Sequence, residues 1–201
     1  MIRYILNKWL MALHRRYDYD VRYMQEILQT DLPAFLKYLG FQIMAAHSAN
    51  VPAEPLFAAR VRAIIWDDCG PCTQLVVNMA LEAKVSPDRV RAMVDMDLDN
   101  LPESTALVAR FTELVLAHNP EADEVREQIR ALWGSNGLIA IAYSISSSRV
   151  YPALKYTLGY GHACSRVQIN DQTLAPARSA EGTRIGALSR TSGGGHRPER
   201  T

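Results

Sequence analysis

Apolar residues recur at helical spacing along most of the chain. Ile2, Ile5, Leu6, Trp9, Leu10 and Leu13 share one helical face, opposite Arg3, Asn7 and Lys8. That face is expected to pack on the rest of the protein or on another subunit, in preference to a membrane surface. Asp18 and Asp20 can open a helix through Tyr23, Met24, Ile27 and Leu28. Asp31-Leu32-Pro33 opens the next in cap-then-proline order, and that helix carries Phe35, Leu36, Leu39, Ile43 and Met44. Val51-Pro52-Ala53-Glu54-Pro55 punctuates the chain before a segment rich in Ala and Arg that runs to Trp66. Further helices are predicted from Cys69 to near Lys84, from Ser86-Pro87-Asp88 through Val94, and from Leu101-Pro102-Glu103 through Val115. Asn119-Pro120-Glu121 starts another, ending near Trp133-Gly134, and a last one runs from Gly137 to about Leu158 with a kink expected at Pro152. No stretch is read as a strand with hairpin chemistry. The expected fold is all-α.

After Ile169 the pattern stops. Ala-Pro-Ala-Arg, Glu-Gly-Thr-Arg and Ser-Gly-Gly-Gly-His-Arg-Pro offer little to bury, so residues 170–201 are predicted to form a disordered tail. The organisation expected is a helical extension over 1–50, a helical domain over 51–169 and the tail.

Composition narrows the function classes. A chain of 201 residues that is 48% hydrophobic can bury a substantial core. A net charge of +1, with no basic stripe interleaved with aromatics, gives no electrostatic basis for nucleic-acid binding. No run is long and apolar enough to span a bilayer, and Lys8 interrupts the only N-terminal run with a signal-like character. Three cysteines are too few for a secreted disulfide scaffold, which places the chain in a reducing, cytoplasmic setting.

The most pointed chemistry is Cys69-Gly70-Pro71-Cys72, after Trp66-Asp67-Asp68 and at the start of a predicted helix. Two thiols so spaced can close a disulfide with little backbone movement, and helix amides favour a thiolate there. The dipole contributes about 0.3–1 kcal/mol to an anion. A carboxylate some 6 Å away opposes it by about 3 kcal/mol at an effective dielectric near 20. Reactivity therefore turns on whether Asp67 and Asp68 face the sulfurs, or whether one caps the helix and the other meets Arg60, Arg62 or Arg149. No second CxxC or histidine pair completes a zinc site, so neither a metal nor a cofactor is expected. Cys164 reads as a small buried hydrophobe, and His47 and His118 as residues of helix ends. His162, between glycine-rich turns, is the histidine most able to approach a site. Asp95, Asp97 and Asp99 alternate as in a calcium loop but lack its glycine and distal glutamate, which makes them a solvated turn. Ser146, Ser147, Ser148 and Arg149 form a polar patch with the composition of an anion site, or simply of a polar helix face.

Cys-Gly-Pro-Cys is also the active-site tetrapeptide of thioredoxins, but the helical pattern of Phe57–Trp66 leaves no strand before it. The wider neighbourhood resembles the alkylhydroperoxidase-D-like, or carboxymuconolactone decarboxylase, superfamily. An amphipathic helix runs into Asp-Cys-x-x-Cys, a helix with Met79, Ala80 and Leu81 follows, and Val85-Ser86-Pro87-Asp88-Arg89-Val90 leads to a helical hairpin. The likeness covers Ala53 to Leu116 and, more loosely, the helices to about Gly159. It implies an all-helical subunit in a homo-oligomer, a trimer or hexamer. It also implies a catalytic pair, Cys69 and Cys72, that reduces a small-molecule peroxide or a partner's disulfide and is regenerated by an external dithiol. The family favours Cys72 as the attacking sulfur; the helix dipole favours Cys69. Redox members carry a histidine where this chain has Val76 and a glutamate close to Phe57. Glu54, Asp67, Asp68, Gln74 and His162 are the conceivable substitutes. Two other functions fit the same residues: a non-catalytic helical oligomer, and a cofactor-free enzyme on a small organic acid using Arg149 or His162.

Overall fold

A computed structural model describes residues 1–162 and 166–177. The architecture is all-α, as expected. Three helices come first: α1 (Ile2–Tyr17), α2 (Arg22–Thr30) and α3 (Leu32–Ala46). They are followed by α4 (Ala53–Trp66), α5 (Gly70–Glu82), α6 (Pro87–Asp95), a 3-10 turn at Leu98–Asn100, α7 (Glu103–Leu116) and α8 (Ala122–Thr157). Several helix starts follow local rules. The Asp31 side chain accepts from the Ala34 amide at 3.0 Å, and the Ser86 hydroxyl accepts from the Arg89 amide, each with a proline in the first turn. The long α8 is two helices joined at Gly134, whose φ of 68° and ψ of −174° suit only a glycine.

Helix α4 is the hub, and ten of its fourteen residues are buried. Ala58, Ala59 and Ala63 have no exposed surface, so α7 and α8 approach its backbone closely. Helices α5 and α6 close the opposite side through Ile64, Ile65, Val77, Val90 and Met93. The first three helices build a separate cluster around Tyr23, Met24, Leu28 and Phe35, which leans on Leu75 of α5 and on Tyr151, Leu154 and Leu158 of α8.

Arg62 lies inside the hub with 1% of its surface exposed. Its guanidinium pairs with Glu113 of α7 at 2.6 Å and donates to the Met93 and Val94 carbonyls at the end of α6. It also donates to the Ala177 carbonyl at 2.8 Å. One side chain thus ties α4, α6, α7 and the C-terminal segment together.

Two expectations are corrected. Residues Val167–Ile169 and Gln172–Leu174 form an antiparallel hairpin, β1 and β2, with Val167 opposite Leu174. Asn170, at φ 52°, and Asp171 make the tight turn, and Val167 and Ile169 are buried against the core. Asn170–Ala177 is therefore ordered where a disordered tail was expected; residues 178–201 lie outside the described residues, as does Cys164. Within this single chain the α1 stripe has two environments, which an expectation of packing on the protein or on another subunit allows. Leu6, Leu10 and Leu13 pack on the first cluster, whereas Ile2, Ile5 and Trp9 are exposed by 51%, 59% and 43%.

Glu113→Ala leaves the Arg62 guanidinium buried without its carboxylate, and such losses cost about 3–5 kcal/mol. Urea unfolding followed by circular dichroism should show a fall of that order; a change under 1 kcal/mol would mean that the carbonyl contacts suffice alone.

Candidate functional site

Three residues join α4 to α5. Asp67 ends α4, Asp68 adopts a left-handed conformation at φ 54°, and Cys69 is the residue at the N-terminal boundary of α5. Aspartate tolerates this conformation better than most residues. Thr73 fixes the first turn by donating both its amide and its hydroxyl to the Cys69 carbonyl, each at 2.9 Å. Pro71 presets the helical φ. Cys69 and Cys72 come together as a disulfide with their Cα atoms 5.3 Å apart.

Asp67 receives a two-pronged contact from Arg149, with nitrogen–oxygen distances of 2.9–3.1 Å, so its charge is matched. Arg149 is one of the partners weighed from the sequence. Asp68 accepts at its carbonyl from the Tyr156 hydroxyl, 2.7 Å away. Cys69, at the N-terminal boundary of α5, makes no side-chain capping bond.

The two sulfurs differ in what they meet. Cys69 has no exposed surface and lies in the core beside α6. Cys72, 2% exposed, borders a cavity of about 360 Å³. The helix-dipole case for Cys69 is also weakened locally. The Gly70 amide is taken by the His162 carbonyl at 3.0 Å, and Pro71 has no amide hydrogen to offer.

A chain of hydroxyls leads to Cys72. Tyr19 Oη lies 3.7 Å from Cys72 Sγ, Tyr23 Oη 3.3 Å from Tyr19 Oη, and Tyr38 Oη 3.1 Å from Tyr23 Oη. A disulfide sulfur has no hydrogen, so Tyr19 donates to it. Each hydroxyl carries one hydrogen. Tyr23 must then donate to Tyr19, and Tyr38 to Tyr23. Gln42, half-buried, lies on the wall of the same cavity. The dipoles thus align toward the sulfur. Burial raises the pKa of all three phenols, which keeps them neutral donors.

Lys155 of α8 completes this cluster. It is 1% exposed, and its Nζ sits 4.1 Å from the centre of the Tyr19 ring and 5.2 Å from that of Tyr23. Among the described residues the ammonium has no hydrogen-bond partner. Burial lowers its pKa to about 8, against the attraction of nearby Asp20, with Arg22 adding to the fall.

Of the other residues singled out from the sequence, Phe57 and Val76 line the same cavity as Cys72 and make its wall apolar. Glu54 pairs with Arg89 at 2.6 Å, Gln74 bonds Asn78 and the hairpin at Gln168, and the His162 side chain is exposed. None of these lines the cavity. The serine patch is divided: Ser146 and Arg149 are exposed and line a shallow surface pocket with Asp67 and Tyr156. Ser147 and Ser148 are buried, Ser147 donates to the Tyr143 carbonyl, and Arg149 is engaged by Asp67. No cluster of three metal-ligating side chains occurs among the described residues. No helix there is long and apolar enough to cross a membrane.

Tyr19, Tyr38, Tyr151 and Lys155 were not singled out from the sequence; Tyr23 was read only as a helix position and Arg60 only as a possible partner of an aspartate. The i, i+4 pair Tyr151/Lys155 was the available signal, since it places two polar tips on one face of α8; Tyr19 lies before the start of α2 and carries no such signal.

Compared with known proteins, the chain matches no protein-family model, no curated protein and no solved structure.

A hydrogen bond to a charged group contributes about 1.5–3 kcal/mol, or about one to two pKa units. Tyr19→Phe in a Cys69→Ser background should therefore raise the Cys72 thiol pKa by at least about one unit, read from the pH dependence of iodoacetamide alkylation. An unchanged pKa would remove Tyr19 from the chemistry. Lys155→Met should stabilise the fold at pH 7 by about 2 kcal/mol, because a desolvated cation is removed. The unfolded lysine holds its proton to about pH 10.5, whereas the folded one releases it near 8. The variant's advantage should therefore be full below pH 8 and shrink as pH rises toward 10.5. Chemical denaturation across that range measures it.

Proposed function

We propose that this chain is a dithiol/disulfide redox protein in which Cys72 exchanges electrons with a peroxide or a partner's disulfide and Cys69 is the resolving thiol. The observation that carries this reading is a cysteine pair close enough to bridge, with one sulfur bordering a cavity and a polarised hydroxyl chain aimed at it. The resemblance to the alkylhydroperoxidase-D-like superfamily points the same way, and Tyr19 takes the place of the polar groups lacking at Phe57 and Val76.

In the oxidising half, the Cys72 thiolate attacks the distal oxygen of a peroxide. The S–O bond forms, the O–O bond breaks, and the alkoxide leaves as an alcohol with a proton passed through Tyr19. Cys69 then attacks the sulfenic sulfur, the S–S bond forms and water leaves. In the reducing half, a thiolate of an external dithiol attacks Cys72 and Cys69 leaves as the thiolate. The second thiol of the reductant closes its own disulfide and releases Cys72, so two electrons enter and two were spent. Self-association in a trimer or hexamer would cover the exposed Ile2, Ile5 and Trp9 of α1.

The test is exchange with a small disulfide, 5,5′-dithiobis(2-nitrobenzoate), on single-cysteine variants. Cys69→Ser should trap a mixed disulfide at Cys72 at least tenfold faster than Cys72→Ser traps one at Cys69. Wild type should titrate as a reversible two-electron couple. A pair that never reduces under dithiothreitol, or equal trapping by both variants, would refute the assignment.

A further inference from the structure

We propose that the cavity beside Cys72 binds an apolar carboxylate, held at its charged end by Arg60. The peroxide or disulfide processed at Cys72 then belongs to that class, a step that rests on the redox reading above. The cavity wall is mainly hydrocarbon, with Leu13, Met24, Phe57, Ile64, Leu75 and Val76 among its members. It holds no aspartate or glutamate, and its one charged lining residue is Arg60.

Arg60 differs from its neighbours in the fold. Arg62, Arg89 and Arg149 each meet a carboxylate. Arg60 has no such partner among the described residues. Its guanidinium carries five donors. One nitrogen donates to the Ala45 carbonyl at 2.6 Å, near the end of α3, and the group lies 5.0 Å from the centre of the Phe57 ring. These contacts hold one edge and one face. Nε has no partner, and burial disfavours the charge, lowering its pKa. An arginine nevertheless stays protonated in a protein. A cation half-withdrawn from water, facing an apolar cavity of about 360 Å³, is matched by a planar anion on an apolar body. A neutral guest of the same shape fills the hydrocarbon part and leaves the guanidinium as it was.

Isothermal calorimetry at pH 7 on the oxidised full chain tests this with decanoate and decanol. Decanoate should bind about ten- to a hundredfold more tightly than decanol, the worth of one charge-assisted contact. Arg60→Gln should abolish the preference and Arg60→Lys should keep part of it. Decanoate, and not decanol at equal concentration, should also slow reduction of wild-type Cys69–Cys72 by dithiothreitol, which needs no variant to fold and places the guest at the cavity. Equal binding of the two probes, binding of neither, an unchanged preference in Arg60→Gln, or no protection of the disulfide would overturn the proposal. The two readings fail separately. A disulfide that never turns over, with decanoate still bound through Arg60, sinks only the redox function. Exchange at Cys72 with no carboxylate preference sinks only the substrate class.

Discussion

The burial of α4 on nearly every side is the constraint from which the rest of the structure follows. A helix enclosed in this way must find a partner for each charge it carries. Glu54 meets Arg89, and Arg62 meets Glu113 together with the carbonyls that end α6. Those two solutions tie α6 and α7 to α4 and pin the segment ending at Ala177. On the side facing the first three helices the matching stops short. Arg60 finds a backbone carbonyl and an aromatic face, and the space around it remains a cavity. The cavity is there because the first three helices lean on α5 and α8 by their own cluster instead of filling that side of α4.

The same geometry decides which electrostatic effect governs the sulfurs. From the sequence the largest influence on a thiolate was a nearby aspartate, about 3 kcal/mol against a helix dipole of at most about 1 kcal/mol. Arg149 offsets the share of Asp67 in the first by pairing with it. The second is reduced because the Gly70 amide is already bonded to the His162 carbonyl. Beside these stands the Tyr19 hydroxyl, worth about 1.5–3 kcal/mol to an anion and 3.7 Å from Cys72 Sγ. It acts on Cys72. The hydroxyls behind it are already oriented toward the place where charge appears on reduction, so little reorganisation is needed.

Local rules carried most of the fold. Asp31 before Leu32-Pro33 and Ser86 before Pro87 mark helix starts because each signal is complete within four residues. Cys69 and Cys72 were legible for the same reason. The hairpin was also written locally, in Val-Gln-Ile-Asn-Asp-Gln-Thr-Leu, where three-residue alternation flanks a two-residue turn. It was hidden by the proline- and glycine-rich composition that follows. The tyrosine chain is a different case. Tyr19 meets Cys72 across 53 positions, and Lys155 reaches Tyr19 from the far end of α8. No spacing rule couples such residues; only the packing of the first helices on α5 and α8 brings them together. The split of α1 into a packed and an exposed apolar stripe is likewise invisible to periodicity, which counts a wide face as one.

Residues 1–50 therefore have a part beyond packing. Tyr19 and Tyr23 flank the start of α2, Tyr38 and Gln42 lie on α3, and each contributes to the hydroxyl chain or to the wall of the cavity. The helices on either side of the cysteine turn, α4 and α5, offer mainly apolar side chains there, Phe57, Ile64 and Val76, with Arg60 the charged exception. Without the first three helices Cys72 would face solvent, where water competes for every donor and a single phenol hydrogen bond is worth little. With them, the sulfur sits at an apolar wall with one directed donor, and a buried ammonium stands behind that donor. The polar half of the site and the sulfur half thus come from different parts of the chain, and the contact between Tyr19 and Cys72 joins them.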